Sequence, residues 1–182
     1  KPMGLKARFP TFELLAPSLS RLNHQQSKQF MERCTQLVKL DQHITVFEYC
    51  LLAQYHKLLI PSKARAQINR WAAVTAELNY VFATIMQLQA MPTQEAFHRQ
   101  MESFLVPPML LADMPFQAAR FDRSLRKLAR LSPILKKLLF QHLVESIEPH
   151  RLPSLEKLEL LRLIANYLDA PLPPFLEPLN DH

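Results

Sequence analysis

The sequence predicts an all-α fold, a helical bundle of two repeated helical hairpins around a long central helix. Three observations lead there. Apolar residues recur at helical spacing nearly everywhere, and no run alternates long enough to make a strand. Two segments, 22–59 and 131–168, agree in layout, as duplicated supersecondary units do. Between them, in a central helical region spanning 69–105, no Lys or Arg stands between Trp71 and Phe97. A helix apolar on most of its circumference sits inside a bundle. The 182 residues, 48% of them hydrophobic, suffice for a single domain over 1–182 with one core.

The elements follow in order. Asn23 and Gln26 open a helix whose face carries Phe30, Cys34, Leu37 and Val38 and which ends before Asp41. Thr45 and Glu48 form a capping box, with Ile44 and Tyr49 placed as a hydrophobic staple. The helix they open runs to about Ile60, where Pro61 stops it. Trp71, Val74, Leu78, Val81, Ile85 and Leu88 then recur at steps of three and four, a heptad seam. Thr93 caps a shorter helix through Leu105, and Pro107, Pro108 and Pro115 bracket a loop holding Met109, Leu110 and Leu111. Pro115 suits the first turn of the next helix, which runs to Leu131. Ser132 caps and Pro133 opens another, to Ile147; Ser154, with Glu156 in the first turn, begins the last, to Leu168. Asn23 matches Ser132, Ile44 matches Leu152, and Glu48 matches Glu156 in the repeat.

Composition excludes several chemistries. The chain has one glycine, Gly4, and 15 prolines. Phosphate-binding loops, dinucleotide fingerprints and the nucleophile elbow all need several glycines, because only glycine reaches positive φ at no steric cost. No apolar run is long enough to span a bilayer, and no signal peptide follows the basic start. Beginning at Lys1, the chain reads as a piece of a longer protein. Cys34 and Cys50 read as reduced thiols in an apolar seam, with a redox pair as the lesser alternative.

The elbow LDQHITVFEY, with Asp41 seven residues before Glu48, resembles the Asp-Gly-x-Ile/Val-x-x-x-Glu elbow of TerB-like helical domains, and EPHRLPSLEK resembles a degraded copy. The leader FELLAPSLSRL, the two elbows, RLSPILKKLLFQHL and IANYLDAPLPP together resemble the cytoplasmic C-terminal extension of bacterial membrane-bound zinc metallopeptidases related to HtpX and the prenyl-protein endopeptidases. The likeness covers about Phe9 to Pro174 and departs from the elbow pattern at Gln42 and Pro149. It implies a non-catalytic accessory or interaction domain on the cytoplasmic side of the bacterial inner membrane, soluble in itself. The partner it implies is the parent's catalytic domain or another protein.

Zinc peptidases of that kind need H-E-x-x-H, and no two of the seven histidines stand four residues apart. No cofactor is therefore expected in this chain, zinc belonging to the parent. Glu95, His98 and Glu102 share one helix face with metal-like spacing, but di-metal carboxylate bundles need a matching Glu-x-x-His on a second helix, and His142 with Glu145 has the reverse order. Asp41 and Glu48 are too few carboxylates for calcium.

Charge is the more informative signal. Arg120, Arg123, Arg126, Lys127, Arg130, Lys136 and Lys137 face only Asp122 within 120–137, a local net of +6 that equals the formal charge of the whole chain. Arg120, Arg123, Lys127 and Arg130 fall within one arc of their helix. The stripe is either a solvated face or an interaction surface for anionic lipid. Few aromatics accompany it, which argues against nucleic acid. An independent helical adaptor, binding a protein partner or an anionic membrane surface through this stripe, is the alternative to the metallopeptidase module.

Overall fold

The computed structural model describes residues 8–38, 45–59, 67–88, 92–146 and 154–171. Over these residues the chain is all helical: α1 (Arg8–Leu19), α2 (His24–Val38), α3 (Val46–Leu59), α4 (Thr75–Gln87), α5 (Gln94–Glu102), α6 (Ala118–Leu128), α7 (Pro133–Glu145) and α8 (Leu155–Leu168). No helix among them is long and apolar enough to cross a membrane.

Local side-chain chemistry starts these helices where the sequence signals it. Asn23 Oδ1 accepts from the Gln26 amide at 2.9 Å, and Gln26 Oε1 accepts from the Asn23 amide at 3.0 Å. Thr45 and Glu48 close the same reciprocal box ahead of α3, so two donors that the helix cannot satisfy itself are paired. Thr93 accepts from Ala96 N at the head of α5. Ser154 accepts from Lys157 N at 3.4 Å, and Glu156 stands in the first turn of α8 as expected. Asp41, Ile44, Leu152 and the part of the second elbow before Ser154 lie outside the described residues.

The central helix is not long. Backbone amides of Gln67 and Ile68 both donate to the Arg130 carbonyl, and Ser132 N donates to Ile68 O, forming an isolated bridge between Ile68 and Leu131. That extended segment runs into one turn of 3-10 helix at Trp71–Val74, and α4 has only 13 residues. It is nonetheless enclosed: every residue from Leu78 to Met86 is buried. Asn79 and Thr84 enter the core with them because their side chains find backbone carbonyls, Asn79 those of Thr75 and Pro107, Thr84 that of Tyr80.

Other boundaries shift for identifiable reasons. Helix α5 stops at Glu102 rather than Leu105, because Leu105 has φ 53 and Val106 precedes a proline, which disfavours helical backbone. Pro115 does not open α6. Its carbonyl accepts the Tyr80 hydroxyl at 2.9 Å, and the Gln117 amide donates to that same hydroxyl at 2.7 Å, so the chain stays extended until Ala118. Helices α6 and α7 end at Leu128 and Glu145, short of Leu131 and Ile147. Helix α1, unforeseen, packs on α3 and carries Pro17 within its length.

Helix α3 lies against α8, α4 against α6, and α6 touches both α3 and α8, so one core joins the elements. The joint has a polar centre. Tyr49 of α3 and Tyr167 of α8 both donate to Oδ1 of Asp122 on α6, at 3.3 and 2.9 Å, while Arg126 Nε donates to Oδ2 at 2.6 Å. A second polar device pins the loop 105–114. Asn79 Oδ1 accepts from Met109 N, Gln94 takes the Met109 carbonyl and the Leu111 amide, and Gln87 donates to the Leu111 and Met114 carbonyls.

Candidate anion-binding cleft

The seven basic residues of 120–137 do not form one surface. Arg120, Arg123 and Lys127 come together with Ala76, Glu77 and Ser124 around an open cleft of about 330 Å³ where α6 crosses α4. Arg126 points instead to Asp122, and that hydrogen bond holds its guanidinium above its ordinary pKa. Arg130 reaches Gln67 beside the Ile68–Leu131 bridge. Lys136 is largely covered and lies 3.6 Å from Asp169, while Lys137 is exposed on α7.

Within the cleft each cation is held differently. The Arg120 guanidinium lies over the Tyr80 ring, 4.1 Å from its centroid, a cation–π contact that fixes the plane while leaving its edge for a ligand. Tyr80 is buried, and its hydroxyl fixes the start of α6, so the same side chain positions both the helix and the arginine. Burial pushes that hydroxyl's pKa up, opposed by the Gln117 amide and by Arg120. Lys127 Nζ sits 2.9 Å from Glu77 Oε1. Arg123 is exposed and, among the described residues, makes only a 3.3 Å bond to the carbonyl one turn back. Three cations against one carboxylate leave the cleft positive, less so than a bare count of the stripe implies. Helical spacing could bring the three cations together; Glu77 and Tyr80, on another helix, carry no signal that would attach them.

The remaining candidates stand apart. Glu48 is occupied by the cap of α3, and Glu156 is exposed at the start of α8. Glu95, His98 and Glu102 lie on α5, and among the described residues no group of three or more His, Cys, Asp or Glu is arranged to hold a metal. Cys34 is partly exposed and Cys50 buried, both as free thiols, and burial pushes both thiol pKa values up. A thiolate is disfavoured at either position.

No protein-family model matches the chain, and no curated protein and no solved structure matches it either.

Proposed function

We propose that the chain is a helical interaction domain that docks onto an anionic surface through Arg120, Arg123 and Lys127. The convergence of these three side chains on one open cleft carries the reading. In the leading version the domain is a non-catalytic extension of a membrane-bound zinc metallopeptidase, and the surface is the cytoplasmic leaflet of the membrane that holds its parent. The zinc would belong to the parent's catalytic domain, since this chain has no H-E-x-x-H in which to bind it. Each basic residue near an anionic leaflet contributes about 1 kcal/mol.

The repeat belongs to the same proposal. The N-cap positions Ser132 and Ser154 stand at one common offset from Asn23 and Thr45, from which the matches of Leu152 to Ile44 and of Glu156 to Glu48 depart by one residue. Helices α3 and α8, the second arms of the hairpins, pack on each other. Lys57 and Asn166, equivalent at that offset, are hydrogen-bonded across this packing. These observations support a duplicated hairpin, with α2–α3 and α7–α8 as its copies.

Cosedimentation with vesicles containing phosphatidylserine tests the docking. Arg123→Glu is the cleaner variant, because among the described residues its side chain bonds only within its own helix, whereas reversing Lys127 would also set two carboxylates together. Wild-type binding at low salt that is lost in Arg123→Glu and on adding salt is the expected result. Equal binding by both proteins, or none by either, removes the lipid surface. The gene region encoding what precedes Lys1 tests the parentage: membrane-spanning helices followed by H-E-x-x-H support it, and their absence refutes it.

A further inference from the structure

The outward face of α7 is built for a partner, and its charges say which. Leu139, Phe140 and Leu143 bury the inner face. On the opposite side Ile134 is 74% and Leu138 40% exposed, on a helix arc shared with Lys137, Gln141 and Glu145. Two large apolar side chains one turn apart, facing water on a helix whose other face is already buried, form the core of an unpartnered contact.

The charges on this helix run against its dipole. Lys136 and Lys137 stand near the positive N-terminal end, and Glu145 is its last residue, whereas the macrodipole favours the reverse order. Lys136 is turned inward to Asp169, a carboxylate it shares with Lys57. Lys137 has no ion pair within 4.0 Å among the described residues, and Glu145, its side chain 70% exposed, has only His142 at 3.5 Å. A second α7 laid antiparallel would bring its acidic end to this basic end and its basic end to this acidic one.

We propose that this face binds a second copy of the chain, as a two-fold dimer of antiparallel α7 helices. A two-fold interface requires a patch complementary to itself, and a pairing centred on Gln141 meets that requirement: Lys137 faces the partner's Glu145 twice, once across each half. In this register Leu138 and its two-fold mate flank the axis and supply the apolar contact, while Ile134 stands beyond Lys137 at the outer end of the face. The loop 105–110 extends the patch, because the Phe104 ring lies 4.9 Å from that of His142 at the Glu145 end of α7, and the next residue, Leu105, is 94% exposed. The anion cleft contributes nothing to this face, so the two proposals stand independently. One helix pair buries less than the roughly 1,600 Å² of a standard interface, so the dimer is a weak one, on the order of micromolar.

Sedimentation equilibrium of the whole chain over a range of concentrations tests it. The expected result is a monomer–dimer equilibrium whose dissociation constant rises by about tenfold or more in Lys137→Glu, since a two-fold interface feels each reversal twice. Leu138→Glu should abolish the dimer, with circular dichroism confirming that the substitution at this exposed site leaves the helices intact. The decisive variant is the double reversal Lys137→Glu with Glu145→Lys, which exchanges both ends of the pair and should restore association. A chain that stays monomeric throughout, a dimer indifferent to Leu138→Glu, or a double reversal no better than Lys137→Glu alone each overturns the proposal.

Discussion

The ammonium of Lys127 lies 2.9 Å from Oε1 of Glu77, so the one carboxylate lining the cationic cleft is held by one of its three cations. Helix α6 is tied to α4 at the point where a ligand would enter. This pair limits the attraction the cleft exerts on an anion.

Glu77→Gln should therefore strengthen binding to anionic vesicles. The formal charge of the lining rises by one, and the half-exposed ion pair it removes is worth no more than about 1 kcal/mol. Cosedimentation at low salt should show a larger bound fraction than wild type, with the urea midpoint nearly unchanged. A bound fraction equal to or below wild type would mean that the cleft does not read charge.

Asp122 should be the most sensitive polar residue of the core. Asp122→Ala leaves the Tyr49 and Tyr167 hydroxyls and the Arg126 guanidinium without their shared acceptor, at a cost of about 2 to 4 kcal/mol read from urea midpoints. Burial first, then Tyr167 and Asp122, push the Tyr49 hydroxyl well above its ordinary value; burial and then Asp122 do the same for Tyr167, against the opposing pull of Tyr49 and Arg126. The folded protein keeps these protons, while the unfolded chain releases them near pH 10. Their contribution is thus complete below about pH 10 and falls as pH rises beyond it. Alkaline titration should show stability dropping there, and the double variant Tyr49→Phe, Tyr167→Phe should flatten the drop. An unaltered alkaline limb would place the effect elsewhere.

Two adjacent residues of α4 should fail in different ways. Leu78→Ala removes a fully buried side chain from the core and should cost about 2 to 5 kcal/mol. Asn79→Ala should cost about 1 to 3 kcal/mol by leaving buried loop groups unpaired. Amide exchange separates them: Asn79→Ala should selectively expose the Met109 amide, which donates to Asn79 Oδ1 at 2.8 Å. If both variants raise exchange evenly over the loop, Asn79 is no clamp.

Helix starts were legible wherever a side chain caps its own helix, because Asn23 with Gln26, Thr45 with Glu48, and Thr93 act over three residues. The burial of Leu78, Val81 and Ile85 was equally legible from apolar spacing. What escaped was set by distant partners. Spacing of three and four does not separate an α-turn from a 3-10 turn, so Trp71 joined the seam although the bridge at Ile68 delays the helix. Pro115 read as a helix opener because the Tyr80 hydroxyl that holds it lies 35 positions earlier. For the basic stripe, helical angles identified which side chains share an arc. They did not reveal that Glu77, Asp122, Gln67 and Asp169 would each draw off one of the cations.

The packing of α3 on α8 joins two stretches that begin at Val46 and end at Leu168. The pairs α2–α3 and α7–α8 are neighbours in sequence, but this contact joins residues far apart, Lys57 and Asn166 being 109 positions from one another. Loop-closure entropy grows only with the logarithm of length, so the long separation costs little stability. It weighs more heavily on kinetics, because distant pairings must be reached by search before they repay that cost. Local contacts suffice for α2 on α3 and for α7 on α8, so contact order predicts the meeting of these two pairs as the slow step in making this molecule.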